Sequence, residues 1–313
     1  MIRIDYDEFG LFHENAAEFG LSYDGPPVVR REFVEVAPGR RLSALVWGTG
    51  DPELVLLHGG AQNAHTWDTV ALALDRPLVA IDLPGHGHSD GPGDQPGGAL
   101  STQGNADDVA VVTRVLAPNA SAVVGMSLGG LTTISLAARA PELVRRLVLI
   151  DVTPGVTGPK SKAISDFVNG PASFPSFDEI LARTVEHNPT RTVASLRRGI
   201  LHNAMQLDDG AWVWRYRRHG ERGLIDGGPA PFDVFAGLWD ALGAVQVPVL
   251  LVRGMRPQSV VDDADEAELL RRLPHARVER IEEAGHSVQG DTPLELAAVL
   301  GDYIDDADER EDT

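Results

Sequence analysis

A serine in a G-x-S-x-G motif is the first feature of the sequence that could carry out chemistry. The motif runs from Gly125 to Gly129 with Ser127 at its centre, and it joins the apolar segment 121–127 to a helix-like segment that begins at Leu128. A serine on such a tight strand-to-helix turn has a strained backbone, so its neighbours must be small. This context predicts a nucleophile that the turn lifts clear of the sheet.

A glycine-containing loop after another apolar segment indicates where a reacting carbonyl would lie. Residues 57–61 read Leu-His-Gly-Gly-Ala. A developing oxyanion needs two backbone N–H donors, and we expect them at Leu128, which follows the nucleophile, and at Gly60. Ala61 is the alternative to Gly60. We expect His58 to make structural hydrogen bonds beneath the loop and to take no part in catalysis.

The general base is predicted at His286, in a loop near the end of the chain. The sequence contains 10 histidines, and this one is distinguished by its place after the last apolar segment and directly after Gly285. An imidazole changes its protonation state near neutral pH, so it can take the proton of Ser127 and return it to a leaving group.

The carboxylate that would orient His286 has more than one candidate. The five residues after Gly254 contain no acidic side chain. Asp151 is favoured because it ends an apolar segment, and strand ends of a parallel sheet meet at one edge. Asp262 and Asp263 are the alternatives, although both also fit the first turn of a helix, where acidic side chains complement the helix dipole.

Apolar segments of strand length, separated by helix-like segments, predict the scaffold. Such segments indicate strands buried on both faces of a mostly parallel sheet that helices cover. A β-hairpin is predicted from 31–36 and 41–48. The other predicted strands cover 53–59, 77–85, 121–127, 145–152, 247–254 and 277–285. The predicted helices cover 66–75, 102–116, 128–140, 263–273 and 293–304.

The alternation of strands and helices stops between residues 155 and 245. This stretch shows helical patterns at 177–187 and 191–205 and no convincing strand. We therefore predict an N-terminal extension (1–27), a core in two parts (28–154 and 246–313) and a helical cap (155–245). Aromatic side chains of the cap either line an apolar pocket or form the cap's own core: Trp212, Trp214, Tyr216, Phe232, Phe235 and Trp239.

In their chain order, these motifs resemble the α/β-hydrolase superfamily. The resemblance begins near residue 30 and includes the loop at 58–60, Asp-Leu-Pro-Gly-His-Gly-His-Ser at 82–89, the motif at 125–129 and Gly-His-Ser at 285–287. It implies the α/β-hydrolase fold, a nucleophile–acid–base order along the chain, and a cap in the predicted place. It also implies that Asp82 and Ser89 shape a turn and take no part in the chemistry. An acid at Asp151 is similar to the arrangement in small esterases related to the human abhydrolase-domain esterases.

The composition excludes several other kinds of chemistry. The chain of 313 residues contains no cysteine, so it has no disulfide, no thiol nucleophile and no cysteine-ligated metal. The net charge of −19 disfavours nucleic acids and anionic membrane surfaces. The first ten residues include acidic side chains where a signal peptide needs an apolar segment, which predicts a cytoplasmic protein.

Together these observations predict a serine hydrolase that cleaves a small-molecule carboxylic ester, lactone or thioester through an acyl-enzyme on Ser127. No metal and no organic cofactor is expected. Met126 and Trp214 are the predicted substrate contacts. The alternatives are a ligand-binding or regulatory protein on the same scaffold, or a carbon–carbon bond hydrolase, and the sequence leaves a homo-oligomer open.

Overall fold

The computed structural model describes residues 4, 6–91, 101–216, 235 and 237–311, with side chains described up to residue 305. Within these residues the strands are β1 (Val29–Ala37), β2 (Arg40–Trp47), β3 (Leu54–Leu57), β4 (Leu78–Ile81), β5 (Ala122–Met126), β6 (Leu147–Ile150), β7 (Ser173–Phe174), β8 (Ala204–Gln206), β9 (Trp212–Trp214), β10 (Val249–Gly254) and β11 (Arg277–Ile281). The helices are α1 (Phe12–Phe19), α2 (Asp68–Leu74), α3 (Thr102–Leu116), α4 (Leu128–Arg139), α5 (Lys162–Val168), α6 (Phe177–His187), α7 (Val193–Asn203), α8 (Leu238–Gly243), α9 (Asp263–Arg272), α10 (Val288–Asp291) and α11 (Pro293–Glu311).

Eight of the described strands form one sheet, in the order β1-β2-β4-β3-β5-β6-β10-β11. β1 and β2 form the predicted hairpin, and β2 is antiparallel to β4. The last six strands in this order, β4-β3-β5-β6-β10-β11, run parallel to one another. Helices α3, α4, α8 and α9 pack on one face, and α1, α2 and α11 pack on the other. The predicted layered architecture is confirmed. None of the helices in the described ranges has the length and apolar character needed to span a membrane.

The central strands are apolar throughout because both faces of the sheet are covered. In β3, Leu54 and Leu56 belong to the core under one face, and Val55 and Leu57 belong to the core under the other. All four side chains are fully buried. Each contributes roughly 1.5–3 kcal/mol by leaving water. Burial on both faces of the sheet is therefore the physical reason why these segments of the sequence are apolar without interruption.

The carboxyl ends of the parallel strands bring the predicted site residues to one edge of the sheet. Ser127 follows β5, Asp151 follows β6, and the glycine loop at 58–60 follows β3. His286 lies in the loop after β11. Ligand sites of open parallel sheets form outside this edge, so the topology alone places the candidate groups near one another.

The stretch between residues 155 and 245 is less helical than the sequence pattern predicts. Besides α5 to α8, it contains a three-stranded antiparallel sheet in the order β7-β9-β8. The expectation that this stretch holds no strand is wrong, because strands of two or three residues are too short to produce a period-2 signal. Trp212 and Phe174 are buried in the small core beside these strands. Phe232 lies outside the described residues.

Candidate active site

Ser127 occupies the strained turn between β5 and α4. Its φ of 52° and ψ of −117° are rare for a residue with a side chain. The flanking glycines are sterically required, because a Cβ on Gly125 would collide with the backbone of Gly129, and one on Gly129 would collide with the carbonyl of Leu57. The packing of α4 against β3 and β5 therefore depends on the two glycines of the motif, as the sequence pattern predicts.

Two unpaired backbone N–H groups lie near this turn, one at the start of α4 and the other in the loop after β3. Within the described chain, neither the N–H of Leu128, at the start of α4, nor that of Gly60 has a hydrogen-bond partner. A Cβ built on Gly60 would lie 4.0 Å from Cδ2 of Leu128, so the two residues are neighbours. The N–H of Ala61, the alternative donor, is already committed to Nε2 of His86 at 3.1 Å. The geometry thus favours Gly60 over Ala61 as the second donor.

Structural hydrogen bonds hold the loop that carries Gly60. Nε2 of the buried His58 accepts from the N–H of Leu83 at 2.9 Å, and its Nδ1 lies 2.7 Å from the carbonyl of Gly59. Burial lowers the pKa of His58, so it stays neutral. Asp82 accepts from the N–H of Ala64, and its own carbonyl accepts from the hydroxyl of Ser89. His58, Asp82 and Ser89 thus have the structural roles that the sequence analysis expected.

His286 and Asp151 form a hydrogen-bonded pair. Nδ1 of His286 lies 2.8 Å from Oδ2 of Asp151, and the carboxylate is fully buried. The same carboxylate accepts from the N–H of Val260 and of Gly254, both at 3.0 Å, and from the hydroxyl of Ser259 at 2.5 Å. With its acceptors occupied, Asp151 is a rigid partner that fixes the imidazole and leaves Nε2 of His286 to accept a proton.

The alternative acids have other partners. Asp262 is the N-cap of α9 and accepts from the N–H of Asp265. The ammonium of Lys160, 2.8 Å away, lowers the pKa of the Asp262 carboxyl. Asp263 is almost fully exposed and pairs with Arg253 at 2.8 Å. Both side chains stabilise the start of α9, which is the structural role that their positions in the sequence also predicted.

Ser127 and His286 share the sheet edge but are not joined by a hydrogen bond. The hydroxyl of Ser127 and Nε2 of His286 have no hydrogen-bond partner among the described residues. Catalytic hydrogen bonds are often long without substrate and shorten when substrate binds. Gln62 lies near Ser127 and near Ser287, the residue that follows His286. A Cβ built on Gly59 would lie 3.3 Å from Oε1 of Gln62 and 3.2 Å from Cβ of Ser127. The Nε2 atom of Gln62 lies 3.5 Å from the hydroxyl of Ser287.

The two predicted substrate contacts differ in exposure. Met126 is 1% exposed and packs in the core beneath the sheet, so its contact with a substrate stays a prediction. Trp214 is half-buried and lines a cavity of about 150 Å³ beside the site. Its ring packs edge-on against Phe167 and Phe174. The half-buried ring of Trp239 lies 5.5 Å from the guanidinium of Arg272.

A buried polar cluster on the wall of this cavity escaped the sequence analysis. His65 lies 2.9 Å from Asp68 and 3.1 Å from Glu8. Burial opposes its charge, but the two carboxylates outweigh burial and raise the pKa of His65 to about 9. Its ring stacks on His202 with centroids 3.9 Å apart. The only sequence signal was the position of His65 shortly after the glycine loop.

This cluster includes three groups that could ligate a metal. The donor atoms of His65, Asp68 and His202 lie within 4.8 Å of one another, and they form the one such group found in the described part of the chain. The two imidazoles are nearly parallel, at 13°. The nitrogen lone pairs of two stacked rings lie in parallel planes about one ring thickness apart, whereas two imidazoles that bind one tetrahedral metal direct their lone pairs to a single point. The arrangement suits an ion-paired polar cluster better than a metal centre.

A known protein family and several characterised proteins are similar to most of this chain. A family model for the alpha/beta hydrolase fold matches residues 52–293. The chain is similar to esterase Rv0045c of Mycobacterium tuberculosis, with 45% identity over 306 residues, which are 96% of each chain. It is also similar to a pimeloyl-(acyl-carrier protein) methyl ester esterase of Sodalis glossinidius, with 32% identity over 71% of this chain and 85% of that protein.

The solved structures extend this similarity to three dimensions. A structure of the M. tuberculosis esterase Rv0045c, determined in work on transition metal inhibition, matches with a TM-score of 0.81 and 44% identity. The match covers 96% of this chain and 100% of the solved chain. The sheet order, the strained serine and the paired imidazole are therefore set in a scaffold shared almost from end to end.

Proposed function

The chain belongs to the α/β-hydrolase family and is an ester-cleaving hydrolase, and we propose that it acts through an acyl-enzyme on Ser127, with His286 as base and Asp151 as the orienting acid. The observation that carries this assignment is the 2.8 Å contact between Nδ1 of His286 and the buried Asp151 carboxylate. That contact turns Nε2 of the imidazole into the free proton acceptor at the sheet edge where Ser127 lies.

The proposed reaction has two halves. In the first, Nε2 of His286 takes the proton of Ser127 as its oxygen attacks the ester carbonyl, and the N–H groups of Gly60 and Leu128 donate to the oxyanion. The intermediate collapses, His286 protonates the leaving alcohol, and the acyl group stays on Ser127. In the second half, His286 takes a proton from the water that attacks the acyl-enzyme. As the bond between the acyl carbon and the Ser127 oxygen breaks, His286 returns this proton to the Ser127 oxygen and the acid is released.

Asp151 contributes orientation and charge in this scheme. It holds the imidazole in the tautomer that has a free Nε2, and it stabilises the imidazolium that forms in both halves. Its three other donors hold the carboxylate in place. In this scheme protons move only between Ser127, His286, the leaving alcohol and water.

The substrates that we propose are small-molecule carboxylic esters, bound at the sheet edge beneath the cap predicted at 155–245. Trp214 supports a cap-side contact because it lines the adjoining cavity. Met126 is proposed to support the acyl group from below. The proposed location is cytoplasmic, and the proposed chemistry uses no metal and no organic cofactor. The relative from Sodalis glossinidius is named for a methyl ester, so alkyl esters belong in the first substrate panel.

Covalent trapping of the acyl group tests this proposal. We expect 4-nitrophenyl hexanoate to give a burst of nitrophenol equal to the enzyme concentration when acyl transfer outpaces deacylation, and mass spectrometry of the quenched enzyme to locate a hexanoyl group on Ser127. Ser127→Ala should lower kcat by at least about 10³-fold, since the nucleophile acts as a unit with its base. Retained turnover in Ser127→Ala, or an acyl group on another residue, would contradict the proposal.

A further inference from the structure

The cavity beside the active site has a charge that the composition of the chain does not predict. The protein carries 46 acidic residues against 27 basic ones. Among the described residues that line the cavity, however, the cations are Arg191, Arg198 and His65, and Asp68 is the single acidic residue. Carboxylates pair with His65 and with Arg198, which leaves Arg191 as the cation of this lining that could attract an anionic ligand.

Arg191 is the cation of this cavity without an ion-pair partner. In the described part of the chain, no carboxylate lies within 4.0 Å of its guanidinium, and its one hydrogen bond goes to the hydroxyl of Ser195 at 2.6 Å. Its Nε is buried and has no partner. The charges that face it at longer range are Asp291, Glu18 and Arg198. Burial lowers the pKa of Arg191, which reflects the cost of holding this charge away from water.

Arg198 shows how this chain otherwise treats a buried guanidinium. Its side chain is only 4% exposed, and it forms an ion pair with Glu18 and a second, at 3.8 Å, with Glu14. A buried charge without such a partner is strongly destabilising. Arg191 lines the same cavity, is only partly buried and lacks the carboxylates that neutralise Arg198, so its charge is available to a ligand anion.

The cavity leads from Arg191 to the catalytic loops. Gln62 and Ser287 line it, and these residues lie beside Ser127 and directly after His286. At the other end, a Cβ on Gly290 would lie 3.0 Å from the guanidinium carbon of Arg191. A side chain at position 290 would crowd the guanidinium, which lies against the segment that follows His286.

We propose that this cavity binds an anionic group, a carboxylate in the first instance, carried by the ester substrate, and that Arg191 forms the ion pair with it. The inference rests on the proposed function of Ser127, because it concerns which esters that serine attacks. A cavity of about 150 Å³ holds a molecule the size of benzene, which corresponds to a chain of a few carbons ending in one anion. Half-esters of short dicarboxylic acids, or short acyl esters of hydroxy acids, have this shape and charge.

Matched charged and neutral substrates test the proposal. On the acyl side, mono(4-nitrophenyl) adipate is compared with 4-nitrophenyl hexanoate. On the alcohol side, the hexanoyl ester of 3-hydroxypropanoate is compared with propyl hexanoate. The variants are Arg191→Met, Arg191→Lys and the control Arg197→Met. The Arg197 side chain lies on α7, which begins two residues after Arg191, is 45% exposed and does not line the cavity. The measurement is the ratio of kcat/KM for the charged ester to that for its neutral match, after subtraction of spontaneous hydrolysis.

We expect this ratio to fall roughly tenfold or more in Arg191→Met for one of the two substrate pairs, because a charge-assisted hydrogen bond contributes about 1.5–3 kcal/mol. Arg191→Lys should keep part of the preference, and Arg197→Met should behave as wild type. Adipate should inhibit hydrolysis of the neutral ester more weakly in Arg191→Met than in wild type. A thermal unfolding midpoint of Arg191→Met equal to or above that of wild type shows that the variant is folded.

The outcomes separate this inference from the proposed function. If wild type hydrolyses the neutral esters through Ser127 but the ratio is the same in Arg191→Met for both pairs, the anion site is wrong and the proposed function stands. If no ester is cleaved through Ser127, both fall. A large drop in the unfolding midpoint of Arg191→Met, with an unchanged ratio and unchanged adipate inhibition, would assign Arg191 a structural role and overturn the inference.

Discussion

Two charges beside the candidate active site, the buried Asp151 carboxylate and the partly buried Arg191 guanidinium, have very different sets of partners. The Asp151 carboxylate accepts four hydrogen bonds from groups that converge on it. The Arg191 guanidinium makes one hydrogen bond, and its Nε has no partner in the described chain. A buried charge whose hydrogen bonds are all satisfied is fixed in place and can orient another group. A charge with unused donors is available to a ligand. On this comparison, Asp151 belongs to the proposed catalytic machinery, and Arg191 belongs to the proposed site that selects the substrate.

Removal of the charge from Asp151 should have the largest effect in this comparison. Asp151→Asn keeps the shape of the side chain but loses the charge that stabilises the imidazolium, and its amide favours the wrong tautomer of His286. We expect kcat to fall by about 10²–10⁴-fold on 4-nitrophenyl hexanoate. The matched control is Asp262→Asn, whose carboxylate pairs with Lys160, and its kcat should stay within about twofold of wild type. A large loss in Asp262→Asn with little change in Asp151→Asn would reverse the assignment of the acid.

Removal of one donor from Asp151 should have a smaller effect. The hydroxyl of Ser259 lies 2.5 Å from Oδ1 of Asp151. Ser259→Ala leaves that oxygen with the N–H of Gly254 alone, so the carboxylate is held less firmly and kcat should fall about three- to tenfold. Ser259→Thr restores the hydroxyl and should recover most of the rate. Equal kcat values in wild type and Ser259→Ala, across the pH range of activity, would show that the hydrogen bond from Ser259 to Asp151 does not help to orient His286.

His65 lines the same cavity, but its charge is already paired with carboxylates of the protein. We therefore expect it to affect the stability of the fold and not the choice of substrate. Its pKa is raised to about 9 by the carboxylates of Asp68 and Glu8, against the opposing effect of burial. A raised pKa in the folded state stabilises the fold fully below the unfolded value of about 6.5, and this contribution is lost as the pH rises through about 9.

Thermal unfolding at pH 6, 8 and 10 measures this contribution. The midpoint of His65→Gln should lie below that of wild type at pH 6, and the gap should narrow by about 2–4 °C or more by pH 10. His275→Gln, at an exposed position, should follow wild type throughout. A gap of constant size from pH 6 to pH 10 would mean that His65 contributes packing alone and that its charge adds nothing.

Much of the site follows from local sequence pattern. The G-x-S-x-G motif places Ser127, and the glycine loop places Gly60, because each depends on a few residues on either side of a strand end. The position of His286 after the last parallel strand was visible for the same reason. The layered fold was equally predictable, since strands buried on both faces must be apolar along their whole length.

Only the tertiary structure decided between the groups that the sequence left open. Asp151, and not Asp262, is the partner of His286, because its carboxylate accepts hydrogen bonds from donors 103 to 135 residues further along the chain. The N–H of Ala61 donates to His86, 25 residues away, which leaves Gly60 as the proposed second oxyanion donor. Arg191 is unpaired because no carboxylate of the described residues lies within ion-pair distance of its guanidinium. Such relations have no local signature, because hydrogen bonding and burial depend on which distant segments the fold brings together.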